Sequence, residues 1–133
     1  MTAVDTSVVV PALIQWHRRH ETALEAVANS VIPGHAYLES YSVLTRMPGG
    51  VAADVAEDAL ARRFSSDRVL GMGSLTYESV VRRAKELRID GGSTYDALIA
   101  VVAQEHGHAL ATRDHRAVRT YEAVGVDVEW VGE

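Results

Sequence analysis

Short apolar runs alternate along the chain with longer segments of helical character. The opening Thr2-Ala3-Val4 predicts a first strand, followed by a short helix over Ser7–Gln15 with Pro11 near its first turns. A second helix is expected over Arg18–Ala28. Ser30-Val31-Ile32-Pro33 reads as a second strand, closed by its proline and Gly34. His35–Arg46 predicts a third helix, stopped by Met47-Pro48-Gly49-Gly50. The alanine-rich stretch Val51–Phe64 predicts a fourth, and Arg68–Met72 a short strand. Thr76 is placed to cap a helix running to Arg88. After the turn Ile89-Asp90-Gly91-Gly92, Ser93 or Thr94 is expected to cap the next helix, which runs to about His106 and ends at Gly107. Ala109–Thr112 reads as a strand, Ala117–Val124 as a helix ended by Gly125, and Val126–Val131 as a last strand. Its alternation of Val126, Val128 and Trp130 with Asp127 and Glu129 suggests a sheet edge with one wet face. The strand–helix repetition predicts an α/β fold with a central parallel sheet flanked by helices, with ligands beyond the carboxyl ends of the strands.

The chain has 133 residues, an expectation of one domain spanning 1–133. Cysteine is absent, which excludes disulfides, thiolate metal sites and a cysteine nucleophile. No apolar stretch is long enough to span a membrane, and the opening is too short for a signal peptide, so a cytoplasmic location with no membrane partner is expected. The net charge of −5 argues against a passive nucleic-acid binder but not against a nuclease, because a carboxylate cluster adds charge that a bound cation offsets. Basic character resides in arginine: Arg62-Arg63, Arg82-Arg83 and the group Arg113, Arg116, Arg119 are candidate phosphate contacts or simply solvated helix faces.

Against this background four acids stand out. Asp5 follows the first strand, Glu39 lies in a mostly apolar helix, Asp96 opens the most hydrophobic helix, and Asp114 closes the strand before it. A desolvated, unpaired carboxylate beside an apolar element costs several kcal/mol. The fold rule puts all four at one edge of the sheet. A shared divalent cation would offset their repulsion, and hard oxygen donors suit Mg²⁺ or Mn²⁺. Such an ion activates water and neutralises charge developing on phosphate, so phosphodiester hydrolysis by in-line attack of water is the expected chemistry. Thr6, Ser7 and Thr112 supply hydroxyls that would orient waters or a carboxylate. Arg113, His115 and Arg116 are candidate RNA contacts. Each acid also has a plain structural alternative: Asp5 as a turn or cap residue, Asp96 as a first-turn acid favoured by the helix dipole, Asp114 as a turn residue, Glu39 as a partner of Arg46.

Val4-Asp5-Thr6-Ser7, Leu38-Glu39, Gly92-Ser93-Thr94-Tyr95-Asp96-Ala97-Leu98-Ile99-Ala100 and Leu110-Ala111-Thr112-Arg113-Asp114 resemble the PIN-domain ribonucleases, specifically the VapC toxins of bacterial type II toxin–antitoxin systems. The Tyr95–Ala100 run and the Thr112–Asp114 pair carry the resemblance most specifically. It implies a three-layer PIN-like fold and a Mg²⁺- or Mn²⁺-dependent endoribonuclease. The acidic pocket would be Asp5, Glu39, Asp96 and Asp114, holding the metal directly or through water, with Thr112 in support. It also implies an RNA substrate, a homodimer, and a cognate antitoxin that wraps the toxin and carries any DNA binding. The apolar residues Val9, Leu13, Trp16, Tyr37, Tyr41 and Leu44 of the early helices are the surface expected to receive it. Where some members place a further acid after the last aspartate, this chain reads His115-Arg116-Ala117, so a second metal lacks that ligand. The alternatives are a catalytically inactive PIN-like interaction domain and another metal-dependent phosphodiesterase.

Other residues read more plainly. His17 and His20 are three apart, but no distant ligand accompanies them. Trp16 and Trp130 suggest packing or an interface. Tyr95 is a candidate RNA contact, with core packing the alternative. No GxGxxG or phosphate-cradling lysine loop is present.

Overall fold

The structure is a computed structural model describing residues 1–132. Its strands are β1 (Thr2–Val4), β2 (Ser30–Pro33), β3 (Val69–Leu70), β4 (Leu110–Thr112) and β5 (Val128–Trp130). Its helices are α1 (Thr6–Leu13), α2 (His20–Val27), α3 (Gly34–Arg46), α4 (Ala53–Arg63), α5 (Tyr77–Glu86), α6 (Ser93–Glu105) and α7 (His115–Val124), and a 3₁₀ turn covers Ser66–Arg68.

All strand pairings are parallel, in the order β3-β2-β1-β4-β5. β1 lies at the centre, with Thr2 opposite Ser30 on one side and Ala3 opposite Leu110 on the other. The chain therefore passes to opposite sides of β1 to reach β2 and β4, and this switch places a crevice beyond the end of β1. β1 and β4 are apolar on both faces, as a sheet covered by helices requires: Ala3, Val4, Leu110 and Ala111 are all buried. The expected wet edge is present at β5, where Glu129 is exposed and accepts a hydrogen bond from Thr2 Oγ1 at 2.8 Å.

α6 is the central helix. Ala97, Ile99, Ala100, Val101, Val102 and Ala103 are all buried. The residues expected to cap it do not do so. Ser93 and Thr94 lie inside the first turn, and Gly92 occupies the cap position without a side-chain bond. Thr76 does cap α5, in a reciprocal box with Ser79. α7 begins two residues before the expected Ala117, because Asp114 itself is its cap. Gly125 ends α7 with φ +93°, a conformation costly for any side chain. Strands β3 and β5 are shorter than their apolar runs, leaving Met72 and Val126 outside them.

Two arginines offered as phosphate contacts have other work. Arg62 pairs with Asp58 at 2.7 Å on an exposed face. Arg83 donates to the Val124 carbonyl at 2.6 Å, tying α5 to the end of α7. Arg68 spends its guanidinium on the carbonyls of Val27, Ser30 and Arg63.

Candidate active site at the carboxyl edge of the sheet

Asp5 immediately follows β1 and Asp114 follows β4, the neighbouring strand, so both carboxylates emerge at the same edge. Each caps the helix that follows. Asp5 Oδ1 accepts from the Ser7 amide at 3.0 Å and the Ser7 hydroxyl at 2.6 Å. Asp114 Oδ1 accepts from the amides of Arg116 and Ala117 at 2.9 and 3.4 Å. The structural roles foreseen for these acids are thus real. They are also compatible with a second use, since a carboxylate has about four lone-pair sites.

Ser7 and Thr112 weld the two strand ends together. Their hydroxyls are 3.2 Å apart; Ser7 Oγ accepts from the Arg113 amide at 2.7 Å, and Thr112 Oγ1 from the Asp114 amide at 3.0 Å. Tyr121 completes this floor. Its ring belongs to the inward stripe Ala117–Tyr121–Val124 of α7, and its hydroxyl donates to Asp5 Oδ2 at 2.7 Å. Tyr121 was not singled out from the sequence. The available signal was a lone tyrosine on an apolar stripe of a helix leading away from the acidic edge, since a buried phenol needs a partner.

Glu39 and Asp96 come from α3 and α6 and are half-buried. Glu39 Oε1 accepts from Thr6 Oγ1 at 2.5 Å; Arg46, its alternative partner, instead donates to Ser42 Oγ at 3.1 Å. No side-chain donor among the described residues reaches Asp96.

The electrostatics link the acids. Burial, followed by the charges of Asp114, Glu39 and Asp5, pushes the Asp96 carboxyl from its ordinary 3.8 up to about 6. Asp5, only 3% exposed, is also raised by burial, against the hydrogen bonds from Ser7, Thr112 and Tyr121 that favour its anion. Tyr121 is held firmly in its neutral form by burial and by the Asp5 carboxylate. The four carboxylates therefore share one field. As donors they suit a hard divalent cation in kind. Their spacing is wider than ligation requires: among the described residues no three acidic or histidine side chains are gathered closely enough to hold an ion together. Simultaneous ligation requires side-chain movement, which the half-buried Glu39 and Asp96 are freer to make than Asp5.

Beside the acids lie basic side chains. His115 and Arg116 are exposed at the start of α7. Arg113 is half-buried with its Nε lacking a partner, and burial and the nearby Arg19 and Arg18 disfavour its charged form. His17 and His20 bind their own loop, His17 Nδ1 accepting from the Arg19 amide and His20 Nδ1 lying 2.9 Å from the Pro11 carbonyl.

The PIN-domain family matches residues 2–123. Ribonuclease VapC40 of Mycobacterium tuberculosis is 41% identical over 98% of this chain and 99% of its own. Ribonuclease VapC27 of the same organism is 42% identical over 95% of this chain and 93% of its own. Among solved structures, M. tuberculosis VapC20, a sarcin–ricin-loop-cleaving toxin, has a TM-score of 0.67 at 24% identity, covering 95% of this chain and 96% of that one. FitAcB from Neisseria gonorrhoeae has a TM-score of 0.66 at 18% identity, covering 96% of each chain. The last two likenesses concern the fold alone. The first two reach from end to end at an identity that carries the family with it. This chain belongs to the PIN-domain family, among its VapC-type ribonucleases.

Proposed function

We propose that the chain is a Mg²⁺- or Mn²⁺-dependent endoribonuclease toxin, folded as one domain and held in check by a cognate antitoxin. The observation that carries this reading is the gathering of Asp5, Glu39, Asp96 and Asp114 at one edge of the sheet, where burial, and then the charges of the other three, push the Asp96 carboxyl up to about 6. An acid whose anion is disfavoured by three other carboxylates is a natural place for a cation to replace a proton. These four residues would hold the ion. When bound, it would lower the pKa of water and neutralise charge developing on the phosphate.

The remaining roles belong to the chain itself. Ser7 and Tyr121 fix both oxygens of Asp5. Thr6 orients Glu39, and Thr112 braces the backbone of Asp114. Arg113 and Arg116 would bring positive charge to the substrate backbone, with His115 a further RNA contact between them in the sequence. Water attack leaves a 5′-phosphate and a 3′-hydroxyl, whereas attack by the ribose 2′-hydroxyl leaves a cyclic phosphate. Incubating the purified chain with total RNA and Mn²⁺, then mapping the fragment ends, tests the reading. No cleavage sinks it, and a cyclic phosphate moves the chemistry toward a histidine.

The wide spacing of the acids favours one other reading, an inactive interaction domain on the same fold. Absence of both cleavage and cation binding would favour it.

The antitoxin would lie along α3 and α4. Tyr37, Leu38 and Tyr41 line a groove of about 510 Å³ there, with Asp54 and Glu57 on its rim, a setting for an amphipathic segment with basic residues. Of the apolar residues expected at this interface, Val9 and Leu44 belong to the core and are unavailable, while Trp16 is 67% exposed. Toxin and antitoxin would assemble around a homodimer, with DNA reached only through the antitoxin. No helix among the described residues is long and apolar enough to cross a membrane. Co-expression with a neighbouring small reading frame should give a tight, cleavage-suppressed complex.

A further inference from the structure

Two stacked aromatic pairs stand beside the acids, one on each side. After Asp114, His115 stacks on Trp130 with ring centroids 4.0 Å apart and planes 21° from parallel. Before Asp96, Tyr95 stacks on His35 at 5.3 Å and 8°. His35 also lies one helical turn before Glu39, on the same side of α3. The outer member of each pair faces solvent. His115 is exposed although the indole covers one of its faces, and Tyr95 is 56% exposed although the imidazole covers one of its own. Core packing, the alternative reading of Tyr95, does not hold.

We propose that these pairs are platforms for two unpaired nucleobases of the RNA, one on each side of the phosphate presented to the acids. The proposal rests on the ribonuclease reading and assigns the residues that would hold the unpaired strand. Each pair offers a flat π surface already stiffened from behind. Trp130 is fixed in β5, whose ladder pairs it with Thr112; Tyr95 and His35 are set on adjoining helices. A rigid platform loses little freedom when a base arrives. The open space matches: a groove of about 320 Å³ is lined by His35, Tyr95, Tyr41 and Arg46 together with Glu39, so an entering base would lie against a ring with an acid of the pocket beside it. Every base has a π face, and a base within a duplex cannot offer it, because it is already stacked on its neighbours. The platforms therefore select for unpaired strand before they select for sequence.

The full chain carrying Asp5→Asn, which preserves the substrate, is titrated against a 5′-labelled single-stranded oligoribonucleotide and against the same oligomer in a blunt duplex. Fluorescence anisotropy reads the affinity. Single strand should bind at least about tenfold tighter than duplex. His115→Ala and Tyr95→Ala should each weaken single-strand binding about tenfold, the range expected for loss of one stacked base, while His115→Phe and Tyr95→Phe should keep most of it. In a Trp16→Phe background, Trp130 fluorescence should change on binding of the single strand. In the otherwise native enzyme the alanine variants should raise KM more than they lower kcat. Alanine variants that bind like the parent, phenylalanine variants that fail to rescue, or a duplex bound as tightly as single strand would overturn the platforms while leaving the ribonuclease standing. A chain that neither binds nor cuts RNA would overturn the ribonuclease reading, and the platforms with it.

Discussion

The floor and the wall of the acidic crevice are built differently. In the floor, Asp5 and Asp114 are fixed by side-chain hydroxyls, helix amides and the Tyr121 phenol, across two adjacent strands. In the wall, Glu39 has a single hydroxyl partner, and Asp96 meets only burial and the repulsion of its neighbours. Both regions cost free energy, but of different kinds. The floor costs the desolvation of Asp5, offset by hydrogen bonds to its anion. The wall costs an uncompensated charge. This difference assigns precision to the floor and adjustment to the wall: a cation would be met by a fixed side and a side that closes.

The largest expected effect is on cleavage. If both regions contribute to one site, Asp5→Asn and Asp96→Asn should each reduce RNA cleavage by at least about 10²-fold, a loss typical of removing one preorganised charge-stabilising group. Full activity in either variant breaks the link between floor and wall.

Next comes the floor itself. Tyr121→Phe leaves Asp5 Oδ2 buried without its donor, and should cost about 1–3 kcal/mol, a fall of several degrees in Tm. An unchanged melt would mean that Asp5 is not held from α7. A paired comparison sharpens the point. Ser7→Ala removes contacts to Asp5, Thr112 and the Arg113 amide at once, whereas Thr6→Val removes the bond to Glu39 on the wall. Melting should show the first variant clearly less stable than the second.

The smallest effect is also the most particular. Asp96 holds its proton up to about pH 6 in the folded chain, but only to its ordinary 3.8 when unfolded. Folded protein therefore binds more protons between these values, and stability falls as pH rises through the window from about 4 to about 6. Asp96→Asn removes that loss. Its advantage in stability should be near zero at pH 4 and level off above pH 6 at roughly 1 kcal/mol, after discounting the shift for the solvent that screens a half-buried group. Denaturant melts at several pH values measure it, without divalent ions. A variant less stable than the parent at pH 7 would mean that Asp96 is not under strain.

Much of this arrangement could be read in the sequence, for a physical reason. Parallel strand direction follows from the alternation of strands and helices, and strand-end acids of a parallel sheet share an edge whatever their separation along the chain. Asp5, Glu39, Asp96 and Asp114 were accessible on those grounds, as was the capping by Thr76. What escaped depended on the third dimension. Tyr121 reaches Asp5 across 116 positions, and nothing local distinguishes its hydroxyl from that of any other tyrosine. Ser93 and Thr94 are good caps by type, yet the turn at Gly91, with φ +56°, sets the helix start at Ser93 and places both inside it. Val9 and Leu44 have the apolar character of an interface, and only packing shows that they are core. The stacking of Trp130 on His115 required the register of β5 against β4.

Cation binding itself is the most direct test of one site made from floor and wall. Calorimetric titration of Mn²⁺ into the intact chain, repeated from pH 5 to pH 8, follows the exchange of the Asp96 proton for metal. Affinity should level off above about pH 6 and weaken about tenfold for each pH unit below it, with proton release on binding near pH 6. Asp96→Asn should lose most of the affinity and all of that proton release. No Mn²⁺ binding at pH 7.5, or equal binding by Asp96→Asn, would contradict a shared cation site.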